Sequence, residues 1–102
     1  MTKETLDKVL EELEISAVAF ESPSYLNAII GISHDDRLIY DYDKMIDCLI
    51  EEDGMSYEEA MEFIDYNTIR ALPYYPNGPI ILMHPAPLQV EIDELLKRIK
   101  NV

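Results

Sequence analysis

The chain has 102 residues, with 21 Asp and Glu against 8 Lys and Arg, so its formal net charge is −13. This length suits one domain, residues 1–102, with one modest hydrophobic core, and an apolar fraction of 48% excludes disorder through low hydrophobicity. The charge argues against direct binding to nucleic acid or to anionic membranes, because those contacts depend on Lys and Arg.

The chain opens with the pattern of an amphipathic helix over residues 3–14, with Thr2 as its N-cap. Four apolar residues recur there at helical spacing and predict one buried stripe: Leu6, Val9, Leu10 and Leu13. Residues 15–20 are apolar and partly β-branched, so an edge strand there remains open. The following Ser22–Pro23 step ends this stretch.

A β-hairpin is predicted next, with strands over residues 28–33 and 37–40. The turn between them, residues 34–36, consists of His and two Asp residues. Gly31 lies inside the first β-prone run, which indicates a bulge or the close approach of another backbone.

Two helices follow. Asp41 is suited to cap a helix over residues 42–52, and Gly54 to end it in a left-handed conformation. Its predicted apolar face comprises Tyr42, Met45, Ile46, Leu49 and Ile50. Residues 56–59 match a capping box, so a third helix is expected from residue 57 to about residue 71. It is predicted to bury Tyr57, Ala60, Met61 and Ile64. In an unbroken α-helix Ile69 faces the opposite, acidic side, so either the helix ends earlier or Ile69 has a partner.

The last part of the chain predicts a turn over residues 74–78, a third strand over residues 79–83 and a helix over residues 88–100. The apolar stripe of that helix is Leu88, Ile92, Leu95, Leu96 and Ile99. The expected fold is therefore α+β, with a small, mostly antiparallel sheet of three strands, or four if residues 15–20 join it. About four helices pack with the sheet, and they include an acidic αα-hairpin.

The negative charge is concentrated in the middle of the chain. Ten acidic residues and one base, Lys44, lie between Asp41 and Asp65, which accounts for nine of the thirteen net negative charges. Helical spacing places Asp43, Asp47 and Glu51 on one stripe and Glu58, Glu62 and Asp65 on another, each opposite the apolar face. Like charges four residues apart destabilise a helix by roughly 0.2–0.5 kcal/mol per pair.

Two interpretations of these stripes compete. The simpler one is a solvated face that keeps a small protein soluble. The functional one is an acidic decoy, because charges four residues apart repeat every ~6 Å along a helix, comparable to successive phosphates of a nucleic-acid strand. Solubility alone requires neither clustering nor stripes of like charge.

Motifs for catalysis or cofactors are missing from the sequence. His34, His84 and the single cysteine, Cys48, lack the companions that a transition-metal site or a nucleophile needs. The acids around Gly54 do not fit the spacing of an EF-hand loop. No cofactor and no metal site are expected, and the protein is predicted not to be an enzyme. The lone cysteine and the lack of a membrane span or signal peptide predict a cytoplasmic location.

Three strings of residues carry a resemblance: residues 40–46 (YDYDKMI), residues 53–60 (DGMSYEEA) and residues 63–74 (FIDYNTIRALPY). They resemble a group of uncharacterised small acidic proteins of bacteriophages and mobile elements of Gram-positive bacteria. The resemblance covers about half of the chain and carries over no catalytic residues. It implies a setting in the cytoplasm of an infected host cell, where small acidic phage proteins often inhibit nucleases, as anti-CRISPR proteins do.

The sequence thus predicts an inhibitor that presents an acidic helical face to the basic, nucleic-acid-binding surface of a host nuclease or similar protein. The candidate contact residues are Asp43, Asp47, Glu51, Glu58, Glu59, Glu62, Asp65, Tyr74 and Tyr75. The alternative is a structural or regulatory interaction module, or a homo-oligomer, that associates through apolar and tyrosine surfaces while the charge serves only solubility. A third hypothesis, a small hydrolase, requires a pocket with perturbed carboxylates.

Overall fold

The computed structural model describes residues 1–83 together with Leu96 and Lys97. This part of the chain is α+β. It contains α1 (Lys3–Glu12), β1 (Ile29–Ile32), β2 (Leu38–Asp41), α2 (Tyr42–Asp53), α3 (Tyr57–Phe63), a π-helical segment (Ile64–Ile69) and β3 (Ile80–Leu82). Short 3₁₀ turns cover Leu26–Ala28 and Leu72–Tyr74. The predicted helix over residues 88–100 and His84 lie outside the described residues, apart from Leu96 and Lys97, which are helical and exposed.

Three predicted helix starts are confirmed by side-chain caps. Thr2 accepts a hydrogen bond from the backbone N–H of Thr5, Asp41 from that of Lys44 (3.1 Å) and Ser56 from that of Glu59. Gly54 ends α2 at a φ of 66°, as predicted. α1 ends two residues earlier than predicted, because Glu14 has a φ of 57°, outside the right-handed helical region. Of the predicted buried stripe, Leu6 and Leu10 are buried, whereas Val9 within the helix and Leu13 beyond its end are exposed.

The open question of residues 15–20 is resolved against a fourth strand. Ile15, Ala17 and Ala19 are half-buried and pack against the core, while the residues between them are exposed. The backbone N–H of Phe20 donates to the hydroxyl of Tyr40 (3.2 Å), a side-chain contact and not a strand ladder. The apolar pattern therefore indicated burial and not strand pairing.

The hairpin is confirmed. β1 and β2 pair in antiparallel fashion, and the register shifts between Ile29 and Gly31, which agrees with a bulge, the first of the two alternatives given for this glycine. Ser33 closes the turn: its backbone N–H donates to the carbonyl of Arg37 (2.8 Å) and its hydroxyl accepts from the Arg37 N–H (3.0 Å).

The prediction of a mostly antiparallel sheet is wrong. The strand order is β1–β2–β3, and β3 lies parallel to β2, with Ile39 opposite Ile80, so the sheet is mixed. Parallel neighbours cannot be joined by a tight turn. The connection here is made by α2, α3 and the π-helical segment, which follow β2 and return the chain to the sheet in the same direction.

The described residues share one hydrophobic core, with α2 at its centre. Met45, Ile46 and Leu49 of α2 are buried with Leu38 and Tyr40 of β2. The same cluster includes residues of α1, α3 and the π-helical segment: Leu6, Leu10, Ala60 and Ile64. One member of the predicted apolar face of α2 is wrong: Ile50 is exposed, and Cys48 is buried.

Tyr57 is a further correction, since its side chain is 56% exposed. Its angular position on α3 agrees with the buried face, but the whole first turn, residues 57–59, lies in solvent and burial begins only at Ala60. The prediction therefore identified the correct face of α3 but placed the start of its burial too early along the helix.

The π-helical segment explains the unexpected position of Ile69. A π-helix bonds residue i to residue i+5, so Ile69 is brought over Ile64 instead of onto the acidic side. Ile69 is accordingly half-buried and packs against the core. The predicted α-helix to about residue 71 is thus replaced by a short α3 followed by a wider helical turn.

Candidate binding surface

The acids predicted on the second helix lie on the solvent side of α2. Asp43, Asp47 and Glu51 are exposed. The opposite face, with Met45 and Leu49, is fully buried. The cap at Asp41 and the apolar spacing fix this orientation, because the helix can bury only one face.

The acids predicted on the third helix are exposed as well. Glu58, Glu59 and Glu62 belong to α3 and Asp65 to the π-helical segment, while Ala60 and Ile64 are buried. α3 contacts α2, and only three residues, Gly54 to Ser56, connect the two helices. We refer to the seven carboxylates on these elements as the acidic residues of the helix pair: Asp43, Asp47, Glu51, Glu58, Glu59, Glu62 and Asp65.

Basic side chains do not neutralise these carboxylates within the described part of the chain. The salt bridge found there joins Arg37 and Asp35 at 3.8 Å, in the hairpin turn. Arg70 instead lies over the ring of Tyr66, 4.9 Å from its centroid. The carboxylates of the helix pair therefore face solvent with their charge uncompensated by ion pairs among residues 1–83.

One of the seven acids also has a structural contact. The hydroxyl of Tyr42, at the start of α2, donates to a carboxylate oxygen of Asp65 (3.1 Å). Burial raises the pKa of Tyr42 to about 12, with a further contribution from the Asp65 carboxylate. This hydrogen bond ties the π-helical segment to the first turn of α2.

The Tyr42–Asp65 contact predicts a loss of stability at alkaline pH. In the unfolded chain the tyrosine pKa is about 10, so between pH 10 and about 12 the unfolded chain ionises while folded Tyr42 keeps its proton. The free energy of unfolding therefore falls across this window. We expect Tyr42→Phe to be less stable by about 1 kcal/mol near neutral pH and to lose less stability on going to pH 12.

Urea unfolding from pH 8 to pH 12 checks this expectation, with the exposed Tyr66→Phe as the control. Tyr25 and Tyr40, whose pKa values burial also raises, contribute equally to all three proteins. An unchanged slope between pH 10 and pH 12 in Tyr42→Phe contradicts the assignment.

The two tyrosines proposed as contact residues both reach solvent. Tyr74, at the end of a 3₁₀ turn, is 85% exposed, and Tyr75 is 53% exposed. The ring of Tyr74 is therefore not covered by packing against the sheet. The turn is closed by the N–H of Gly78, which donates to the carbonyl of Tyr75 (3.0 Å).

A cleft of about 490 Å³, which was not predicted, lies beside Tyr75. It is lined by residues 18–23, Tyr25, Asn67, Thr68, Ala71, Tyr75 and Pro79. Its wall depends on the π-helical segment, which supplies Asn67 and Thr68. Clefts of this size suit small ligands or single side chains of a partner. We call it the π-segment cleft.

The floor of the π-segment cleft is held by a buried polar pair. The hydroxyls of Tyr25 and Thr68 are hydrogen-bonded at 3.1 Å, and Tyr25 is only 1% exposed. Tyr25 has a φ of 50°, in the left-handed region that a bulky side chain rarely adopts and that occurs more often at binding sites. Its ring and the ring of Phe20 form a T-shaped pair with 5.6 Å between the centroids, which fixes the aromatic wall.

Two titratable groups with shifted pKa values, the Cys48 thiol and the Asp35 carboxyl, lie outside this cleft. Burial, followed by the charges of Glu52 and Glu51, raises the pKa of the Cys48 thiol, so the thiol is protonated at neutral pH. The pKa of the Asp35 carboxyl is lowered, first by a hydrogen bond from the Ser33 hydroxyl, but this carboxyl lies in an exposed turn. Over residues 1–83 with Leu96 and Lys97, no group of three or more His, Cys, Asp or Glu side chains is placed to hold a metal ion.

The same described residues include no helix with the length and apolar character needed to cross a bilayer. No family model matches the chain, and comparisons with curated proteins and with solved structures likewise give no match.

Proposed function

We propose that the protein is a non-enzymatic inhibitor that mimics nucleic acid. The acidic residues of the helix pair present their carboxylates to a basic surface of a partner that normally binds nucleic acid. A host nuclease is the kind of partner that fits this surface, as for anti-CRISPR proteins, and the resemblance to small phage proteins agrees with that setting. The observation that carries the proposal is the solvent exposure of all seven carboxylates without ion pairs among residues 1–83.

The repulsion between neighbouring carboxylates favours a binding surface over a role in solubility alone. Asp43 and Asp47, and likewise Glu58 and Glu62, stand four residues apart on exposed helix faces, where like charges destabilise a helix by a few tenths of a kcal/mol per pair. α2 has a buried face and caps at both ends, and it tolerates this repulsion. A partner with Lys and Arg in a nucleic-acid channel would relieve the repulsion on binding and associate rapidly through electrostatic steering.

Affinity capture from a Gram-positive bacterial lysate tests the proposal. Immobilised protein is exposed to lysate at salt concentrations of about 0.01 M and about 1 M, where the Debye length is roughly 30 Å and 3 Å. We expect the captured proteins to be nucleic-acid-binding proteins, to be released by excess duplex DNA and to be lost at high salt. Capture that neither DNA nor salt affects contradicts the proposal.

The exposure of Tyr74 favours one alternative, a regulatory interaction module that binds through tyrosines. In that case the charge serves solubility, and a second copy of the chain is one potential partner. Binding through such a surface is insensitive to salt and is lost in Tyr74→Ala. The same capture experiment therefore separates the two functions.

A further inference from the structure

Apart from the acidic residues of the helix pair, the π-segment cleft is the strongest candidate binding site on the described residues. Phe20, Tyr25 and Tyr75 give it aromatic walls, and Glu21 is its one charged lining residue among the described residues. Tyr75 and Glu21 are exposed and lie within reach of a ligand, whereas Tyr25 belongs to the floor. A carboxylate beside aromatic rings favours an organic cation, because the rings attract a cation through their quadrupole.

The cleft adjoins the acidic residues of α3. A second, shallower depression of about 370 Å³ is lined by Glu59, Glu62 and Tyr66 together with Asn67, and Asn67 also lines the π-segment cleft. A partner whose basic surface covers α3 would therefore bring cationic side chains to the rim of the cleft.

Arginine fits this cleft better than lysine. A planar guanidinium stacks on an aromatic ring and donates in plane to a carboxylate and to amide or hydroxyl oxygens. Glu21, Ser22 and Asn67 supply such acceptors around the rings. The protein already shows the stacking geometry elsewhere, since the Arg70 guanidinium lies over the Tyr66 ring.

We propose that the π-segment cleft binds an arginine side chain of the partner protein, stacked on Tyr75 and paired with Glu21. This inference rests on the proposed function, because it supplies one specific contact within the docking of a basic surface. The cleft would recognise one particular side chain, whereas the acidic residues of the helix pair would recognise positive charge in general.

The test uses the full chain and a small probe, N-acetyl-arginine amide, with N-acetyl-citrulline amide as its uncharged isostere. Backbone amide shifts in NMR spectra are followed during titration. We expect the arginine probe to shift the backbone amides of residues 18–22 and Asn67 with a Kd of about 1 mM, and the citrulline probe to bind at least about fivefold more weakly. Equal binding of the two probes, or shifts confined to other residues, overturns the proposal.

Matched variants locate the contacts. Tyr75→Ala and Glu21→Gln are each expected to weaken the arginine probe by about two- to fivefold, whereas Tyr75→Phe keeps the ring and retains binding. Tyr57→Ala and Glu12→Gln remove a ring of similar exposure (56% against 53% for Tyr75) and an equal charge outside the cleft, and leave binding unchanged. Loss of binding in these controls, or retention in Tyr75→Ala, contradicts the assigned contacts.

The probe separates this inference from the proposed function. If the probe fails to bind while salt-sensitive capture of nucleic-acid-binding proteins persists, the arginine site is wrong and the mimic stands. If the probe binds but capture is insensitive to salt and DNA, the mimic is wrong and the cleft remains an arginine site.

Discussion

The variant with Asp43→Lys, Asp47→Lys, Glu58→Lys and Glu62→Lys is expected to lose capture of nucleic-acid-binding proteins altogether. Each substitution turns an attraction to the partner's basic surface into a repulsion, and like-charge contacts across an interface are unfavourable by several kcal/mol. The four side chains are exposed, so the fold is expected to persist. Capture at low salt measures the effect, and circular dichroism checks the fold.

A control with the same change in net charge distinguishes position from total charge. Glu4, Asp7, Glu11 and Glu12 are four exposed acids of α1, and their replacement by Lys alters the net charge by the same amount. This α1 variant is expected to retain capture with reduced affinity, since only the long-range attraction falls. Equal loss in both variants would show that total charge, and not the helix pair, governs binding.

Ile64→Ala is expected to lower the free energy of unfolding by about 2–5 kcal/mol, because it leaves a cavity where α3 meets the π-helical segment. Ile64 is 0% exposed and belongs to the core cluster. A small domain has a total stability of about 5–15 kcal/mol, so this loss is a large share. The milder Ile64→Val is expected to lose about 0.5–1.5 kcal/mol and keeps the measurement feasible if Ile64→Ala does not fold.

Tyr57→Ala is the matched control for this core variant. Both residues fall on the predicted apolar face of the third helix, but Tyr57 is exposed, so its removal is expected to change stability by only about 0.5 kcal/mol. Urea unfolding of the three variants compares the two positions. A large loss in Tyr57→Ala would mean that the first turn of α3 is packed in solution.

Features set by neighbouring residues were predictable from the sequence. The caps at Thr2, Asp41 and Ser56 and the stop at Gly54 depend on contacts within a few residues, and the bulge at Gly31 depends on hairpin partners about ten residues away. The pairing of β3 was not predictable, because its partner lies about 40 residues away and a three-residue apolar run carries no sign of strand direction. The π-helical segment was not predicted, because the same residues also suit an α-helix. Only the partial burial of Ile69 favours the wider turn.

The candidate binding surface also has a part that was predictable from the sequence and a part that was not. The exposure of the acidic residues follows from helical spacing, so their positions on the solvent side were predictable. The π-segment cleft joins residues 18–23, the π-helical segment and Tyr75, which lie far apart in the sequence. Only the unusual Asn67–Arg70 stretch, where Ile69 conflicts with the α-helical phase, gave a local signal near it.

The parallel pairing of β2 and β3 has a consequence for how the protein emerges during synthesis. The β1–β2 hairpin has its contacts close together in sequence and can form as soon as residue 41 has left the ribosome exit tunnel. β3 must wait for about 40 more residues, which include the whole acidic helix pair. During that interval one edge of β2 has no neighbour, and the strongly negative nascent segment repels other acidic chains while the edge is open.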